Sequence, residues 1–435
     1  CYLFAYLLGF YILLRALFAP GDTEPKDYSA HRAALAALGA IAWAFSTYFL
    51  IIIGAGHLWK VMALAYLPPM IGGIVLAYRG RYLWGLVVTA VFAALEVHAN
   101  HWQMTYYYLF LILFMAVAWL VDAVRKRQVA HWLKATGACL AGGLLGVMVN
   151  ISNLYHSWEY SQHTMRGGTE LKAGDGQTST SGGLDREYIT QWSYGIGETW
   201  TLLIPNTKGG ASVPLSMNET AMAKADPNYA SVYQQIGQYW GEQPGTSGPV
   251  YVGAFVMMLF ILGLFIVKGP VKWALLAATI LSIMLSWGKN FMGLTDFFID
   301  YMPMYAKFRT VASILVIAEF TIPLLAMLAL KEVMCGGVKS EKLRVPLIVS
   351  FVLTAGIALL FSLFPSLFFD SFISTSEMQA LQSLPPEHVS PLMANLTEMR
   401  QAMFTSDALR SFYVILIGTG ILLLFYYGRS EERRV

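Results

Sequence analysis

Charge is what this chain is short of. Only 13% of its 435 residues are Asp, Glu, Lys or Arg, and 57% are hydrophobic, against ~25% charged in ordinary soluble domains. That balance excludes a solvated surface over most of the chain. The short alternating strands of a membrane β-barrel, about ten residues each, are missing too. Three cysteines (Cys1, Cys139 and Cys335) form neither a disulfide framework nor a metal-ligand spacing. No Gly-rich phosphate loop is found, so an ATP-driven activity is not expected. The formal net charge of +3 carries no block of basic residues that would call for nucleic acid.

What the chain has instead is a series of long apolar runs, each near the length needed to cross a hydrocarbon core of about 30 Å. In lipid a free backbone amide finds no partner, so such runs must be helical. The expected fold is an all-α integral membrane protein. Eleven spans are read, at 1–19, 33–53, 60–78, 82–97, 104–124, 131–151, 249–267, 272–287, 310–330, 345–364 and 410–427. Basic residues alternate with them. Lys26/Arg32, Arg79/Arg81, Arg125/Lys126/Arg127, Lys268/Lys272, Lys339/Lys342/Arg344 and Arg429/Arg433/Arg434 occupy one set of connections. The other set, 54–59, 98–103, 152–248, 288–309 and 365–409, is longer and poorer in Lys and Arg per residue. The positive-inside rule makes the first set cytoplasmic. Residues 1–151 then carry six spans and 152–248 form an extracytoplasmic, aromatic-rich lid. Residues 249–427 carry five more spans, with an extracytoplasmic loop at 365–409, and 428–435 make a basic cytoplasmic tail.

Polar residues crowd the outer side. "EVHANHWQMTYYYLF", from Glu96, brings a carboxylate, two histidines, two amides and three tyrosines to the junction of the fourth and fifth spans. If the fourth span stays helical to its end, Glu96, Asn100 and Gln103 share one face, and His98 and His101 another. An interfacial belt of aromatic and polar tips accounts for much of this. It does not account for Glu96. The H-x-x-H pair leaves a divalent metal open, but no third ligand is evident, and no other cofactor is indicated.

In "YMPMYAKFRTVASILVIAEF", from Tyr301, Lys307 and Arg309 stand at an outer mouth where basic residues are unfavoured. An ammonium and a guanidinium there suit a phosphate, with snorkelling to the interface as the plainer account. Glu319, ten residues on, would lie about 15 Å deeper on a straight helix. A charge at that depth is costly, so it should face the bundle, paired or protonated. In the outer segment, residues 164–183 are rich in Gly, Ser and Thr and read as a flexible loop. The rest combines aromatic rings with Asp185, Glu187, Glu198 and Glu242, a composition suited to sugar faces and hydroxyls or to the core of a small lid. Pro68 and Pro69 should kink the third span and open a lateral groove.

Four phrases in order, "ANHWQMTYY", "LDREYITQWSYGIGETWTLLIPN", "YWGEQPGTSGPVYVGA" and "MPMYAKFRTVAS", together with the spans between them, resemble the YfhO-type family of bacterial multi-pass membrane proteins. Their wording is most similar to its Bacteroidetes branch. The resemblance implies a GT-C-like glycosyltransferase in the bacterial inner membrane. It implies a polyprenyl-phosphate-linked sugar donor and an envelope glycopolymer or glycolipid acceptor. In that architecture an acidic residue of the first extracytoplasmic loop serves as base or metal ligand. Here the first span is followed by a basic connection, so that loop is expected upstream of Cys1.

Carried onto this sequence, the resemblance gives Lys307 and Arg309 the lipid phosphate. Glu96, His98 and His101 become the candidates for proton transfer, lining one outer cavity with Asn100 and Gln103. Tyr239, Trp240, Glu242 and Gln243 would cover the sugar. The alternatives are a transporter or flippase of a lipid-linked saccharide and a non-catalytic scaffold of envelope assembly. A transporter should carry ionisable groups along a path between both faces, whereas here Glu319 is nearly alone at depth.

Overall fold

A computed structural model describes residues 1–19, 29–164, 184–335, 338–369, 371–382 and 385–432. Lys26, the Gly/Ser/Thr-rich stretch at 165–183, and Arg433 and Arg434 lie outside the described residues. Within them the backbone is helical, without a strand; an isolated antiparallel bridge joins Pro214 to Gly237.

The helices run as α1 (Tyr2–Phe18), α2 (Ser29–Ala44), α3 (Thr47–Gly54), α4 (Leu58–Tyr78), α5 (Tyr82–His98), α6 (Trp102–Arg125), α7 (Val129–Val149) and α8 (Ile151–Gln162). Two short helices, α9 (Arg186–Thr190) and α10 (Glu219–Met222), fall in the next, largely irregular stretch. The second half holds α11 (Ala254–Ile266), α12 (Val271–Ser286), α13 (Met292–Tyr301), α14 (Val316–Met334), α15 (Ser340–Phe351), α16 (Ile357–Leu363), α17 (Thr375–Leu381) and α18 (Pro386–Glu432). Six stretches are long and apolar enough to cross a membrane: α4, α6, α7, α14 with its lead-in from Val311, α15 with α16, and α18. They become eight if two bent pairs, α2 with α3 and α12 with α13, each count as one span. The remaining apolar helices, α1, α5 and α11, are shorter.

Two helices form the axis. α4 and α14 are apolar all round and buried on nearly every face, as a helix inside a bundle must be. Lipid tails are as apolar as Leu, so helix association here depends on close packing of small residues. Gly142 and Gly146 of α7 do this against α5: a Cβ on either would stand 2.7 Å from Leu86 O or Ala93 Cβ. The axis is walled by rings, with Trp43 stacked on Phe10 at 4.8 Å and on edge to Phe320 at 6.3 Å.

Pro68 and Pro69 open no groove. Both are buried inside an unbroken α4. Pro69 has no N–H to give the carbonyl of Ala65, four residues back, and α1 covers that carbonyl at Gly9. A Cβ on Gly9 would lie 2.4 Å from Ala65 O, so only glycine permits the approach.

Other differences follow from local breaks. After α12 the chain turns by 109° into Gly288–Tyr301, so part of the expected 288–309 loop is helix. Gly288 makes the turn at φ +47, with Ser193 Oγ 2.1 Å and Val311 Cγ2 2.5 Å from where its Cβ would be. The 365–409 segment is mostly helical too. Residues 386–409 continue into the last span because they are rich in Met, Ala, Leu, Gln and Glu, good helix formers. They bury a stripe of Leu392, Leu396, Met399, Met403 and Phe404.

The connections collect at two ends. At one, Arg79 donates to the carbonyls of Leu17 (2.9 Å) and Ala19 (2.5 Å), and Tyr82 meets His131 at 2.6 Å. At the other, Lys60 Nζ donates to Ser313 Oγ (3.2 Å), Leu184 N–H to Ala306 O (2.9 Å), and Asn206 N–H to Asp407 (3.1 Å). Glu319 lies inside, fully buried in the first turn of α14, where the helix dipole favours an anion. The 51° bend between α2 and α3 presents Ser46, whose hydroxyl donates to Glu319 Oε2. Its Oε1 has no hydrogen-bond partner among the described residues.

Candidate functional site

The turn between α5 and α6 is tighter than a helix carried through it. α5 ends at His98, and Asn100 takes φ 53, a left-handed conformation its short polar side chain tolerates. The expectation that Glu96, Asn100 and Gln103 share one face, and His98 and His101 another, therefore fails, because the helical register is broken between them. Asn100 accepts the Trp102 indole N–H at 2.9 Å and faces an open cleft. Gln103 turns the other way along α6. Its amide donates to the Tyr107 hydroxyl (2.9 Å) and to the backbone carbonyl of Arg309 (2.7 Å), tying α6 to the loop opposite.

That loop carries Lys307 and Arg309 between two strained residues. Met304 has φ 65 and Thr310 φ 62; a β-branched residue in that region is an outlier, at a cost of order 1–3 kcal/mol. Of the four non-glycine residues with positive φ among the described residues, three, Asn100, Met304 and Thr310, belong to this one place. Such strain persists only where packing fixes it. Buried Tyr305 and Phe308 do so, with Phe308 against Tyr106 at 5.3 Å.

The cleft between turn and loop has a volume of about 920 Å³. Asn100 and Trp102 form one wall, Lys307 and Arg309 the opposite one. α8 closes a third side with Leu154, Ser157, Trp158 and Ser161, spaced along one helical face. No residue of α8 is buried, and Trp158 is 63% exposed. Tyr188 completes the lining. Its hydroxyl accepts from Arg309 Nη1 at 2.6 Å, and the guanidinium lies 5.5 Å over its ring. One of the five guanidinium donors is used there. Among the described residues no carboxylate lines the cleft, while Lys307 and Arg309 do.

Two further groups stand behind Arg309. Lys60, at the start of α4, lies 5.4 Å over the Tyr48 ring. His57 precedes it, and its pKa is lowered from 6.5, first by partial desolvation and then by the positive Lys60 and Arg309. The sequence held a signal for both: "GHLWK" puts a histidine and a lysine at a second mouth of the sparsely charged end.

Glu96 is not in the cleft. It is 1% exposed, and its Oε1 accepts the Thr105 hydroxyl at 2.6 Å, so it links α5 to α6 from within. His98 is exposed at the end of α5, and His101 is the partly buried N-cap residue of α6. Among the described residues no group of three His, Cys, Asp or Glu is placed to hold a metal.

Tyr239, Trp240, Glu242 and Gln243 gather elsewhere, around Glu198. That carboxylate is 1% exposed. Its Oε2 accepts the N–H of Gly195 (2.5 Å) and Glu242 (3.4 Å), and its Oε1 accepts the Tyr239 hydroxyl. The same hydroxyl accepts Gln243 N–H at 3.0 Å. Burial raises the Glu198 pKa above 4.5, opposed by the Tyr239 hydrogen bond, the two amides and Lys208. Trp240 is buried beneath Arg400, whose guanidinium lies 5.2 Å over its ring, so it is a core ring and not a sugar platform. Glu242 is exposed and Gln243 partly so.

The expected constellation thus divides into an open cationic cleft and a separate, mostly buried carboxylate cluster. The chain matches no protein-family profile, no curated protein and no solved structure.

Proposed function

We propose that the chain is a membrane glycosyltransferase of GT-C-like architecture, related to the YfhO-type family, acting on a polyprenyl-phosphate-linked sugar at the outer face of the bacterial inner membrane. The reading takes α1, α5 and α11 as spans as well, giving eleven, and the 184–253 segment as a lid. The observation that carries it is the cleft itself. Lys307 and Arg309 are held on a strained loop that shares its cleft with the Asn100 amide and several aromatic rings, with no carboxylate among the described lining residues. A phosphate ester would be drawn there, and Trp102, Trp158 and Tyr188 offer faces for a sugar.

In the reaction the bond between the sugar anomeric carbon and the phosphate oxygen breaks, and the electron pair leaves with the polyprenyl phosphate. An acceptor hydroxyl forms the new bond to that carbon and gives up its proton. Lys307 and Arg309 offset the charge developing on the leaving phosphate. The proton goes to a histidine close to the cleft in sequence or charge, either exposed His98 two residues before Asn100 or His57, whose pKa is lowered by desolvation and then by Lys60 and Arg309. Glu96 holds the turn.

Reconstituted in liposomes with a polyprenyl-phosphate sugar, Arg309→Ala should lower donor cleavage by about 100-fold with insertion unchanged, and Arg309→Lys should recover part of the loss. Normal cleavage by Arg309→Ala would remove the phosphate cradle. Movement of intact lipid-linked saccharide across sealed vesicles, without cleavage, would point to the transporter reading instead.

A further inference from the structure

A second cleft, at the opposite end of the bundle, plays no part in that reaction. It has a volume of about 980 Å³ and two kinds of wall. Along α6, Phe114, Val117, Ala118 and Val121 form one stripe ending at Asp122 and Arg125, a run of about 16 Å from the bundle interior to its end. The lining also includes Phe265 in the last turn of α11, and Trp273, Ala274 and Ala277 of α12. Val117, Val121, Phe265 and Trp273 are each 45–59% exposed, so this wall opens sideways to lipid.

The mouth is basic. Arg125, Lys268, Lys272, Lys339 and Lys342 surround it, from three separate connections. Asp122, the carboxylate among its described lining residues, is already held by Lys126 at 2.7 Å. Lys272 donates to Leu264 O at 2.8 Å and lies 5.1 Å over the Trp273 ring. Arg125, Lys268, Lys339 and Lys342 form no ion pair among the described side chains, and all four are exposed. Cations gathered from three connections repel one another, and the lining carboxylate Asp122 is paired with Lys126. A ligand with an anionic head and apolar tails satisfies both walls at once: its phosphate lies among the four cations while its acyl chains follow α6 and α12. Each basic residue beside an anionic lipid surface is worth about 1 kcal/mol.

We infer that this cleft is a binding site for an anionic phospholipid of the adjoining leaflet. The inference does not depend on the sugar-transfer reading. The purified chain in neutral detergent is mixed with dioleoyl phosphatidylglycerol, with dioleoyl phosphatidylcholine, or with inorganic phosphate alone, and bound lipid is counted by native mass spectrometry. Phosphatidylglycerol should be retained over phosphatidylcholine by at least about tenfold. The preference should disappear in Lys268→Gln/Lys339→Gln/Lys342→Gln, whose side chains are exposed. Ala277→Trp, which keeps every cation and fills the apolar wall, should reduce retention of both lipids. Lys134→Gln, on the exposed face of α7, should change nothing. Equal retention of the two lipids, an unchanged preference in the triple variant, full retention in Ala277→Trp, or displacement of the lipid by inorganic phosphate would each overturn the inference.

Discussion

Glu96 shows how a residue can stand out in a sequence while its surroundings stay hidden there. Its presence at the lip of a span was legible, because an interfacial belt has no use for a carboxylate. Its role was not, because that depended on a single backbone angle at Asn100 that no periodicity encodes. With the turn in place the carboxylate points inward to Thr105. Glu96→Gln should therefore keep donor turnover within about twofold, since the amide oxygen still accepts the Thr105 hydroxyl. Glu96→Ala should cost about 1–3 kcal/mol of stability by leaving that hydroxyl unpaired. Both are read from turnover and thermal melting in detergent. A large loss of turnover in Glu96→Gln at unchanged melting would return the residue to the chemistry. For Lys307 and Arg309 the sequence singled out two cations at an unfavoured mouth, and the structure places both in the lining of one cleft.

Helical elements were the easiest part to read, and the breaks within them the hardest. Apolar runs fix where a helix can lie in lipid, and the runs read from sequence fall on helices throughout. Bends depend on contacts distant in sequence, as at Ser46, which leaves the helix to meet Glu319 273 residues away. Gly288 is the clearest case. Its positive φ, and the closeness of Ser193 and Val311, let α12 turn sharply and bring α13 and the Lys307/Arg309 loop beside the 184–253 segment. Gly288→Ala should destabilise the chain by about 1–3 kcal/mol, from the left-handed conformation and the overpacking together. A melting temperature equal to that of the parent would mean that the turn relaxes freely.

Across the whole molecule, charge separates the two ends more cleanly than count alone. In the half that carries Lys307 and Arg309 many cations are spent on structure. Arg186 pairs with Asp296 and Asp300, and Arg400 reaches both oxygens of Glu377 at 2.6 and 2.9 Å. The opposite end keeps most of its cations for the aqueous phase and the lipid surface. With Cys1, Cys139 and Cys335 replaced by serine, His98→Cys should be labelled by a membrane-impermeant thiol reagent in intact cells. Lys339→Cys should be labelled only after permeabilisation, and the reverse pattern would invert the orientation. α18 adds a mechanical consequence to this polarity. A single helix of 47 residues is about 70 Å long, more than twice the hydrocarbon thickness. Its first half carries Arg400 over the Trp240 ring and buries Leu392, Leu396, Met399, Met403 and Phe404, so one continuous helix joins the last apolar stretch to the packing around the carboxylate cluster.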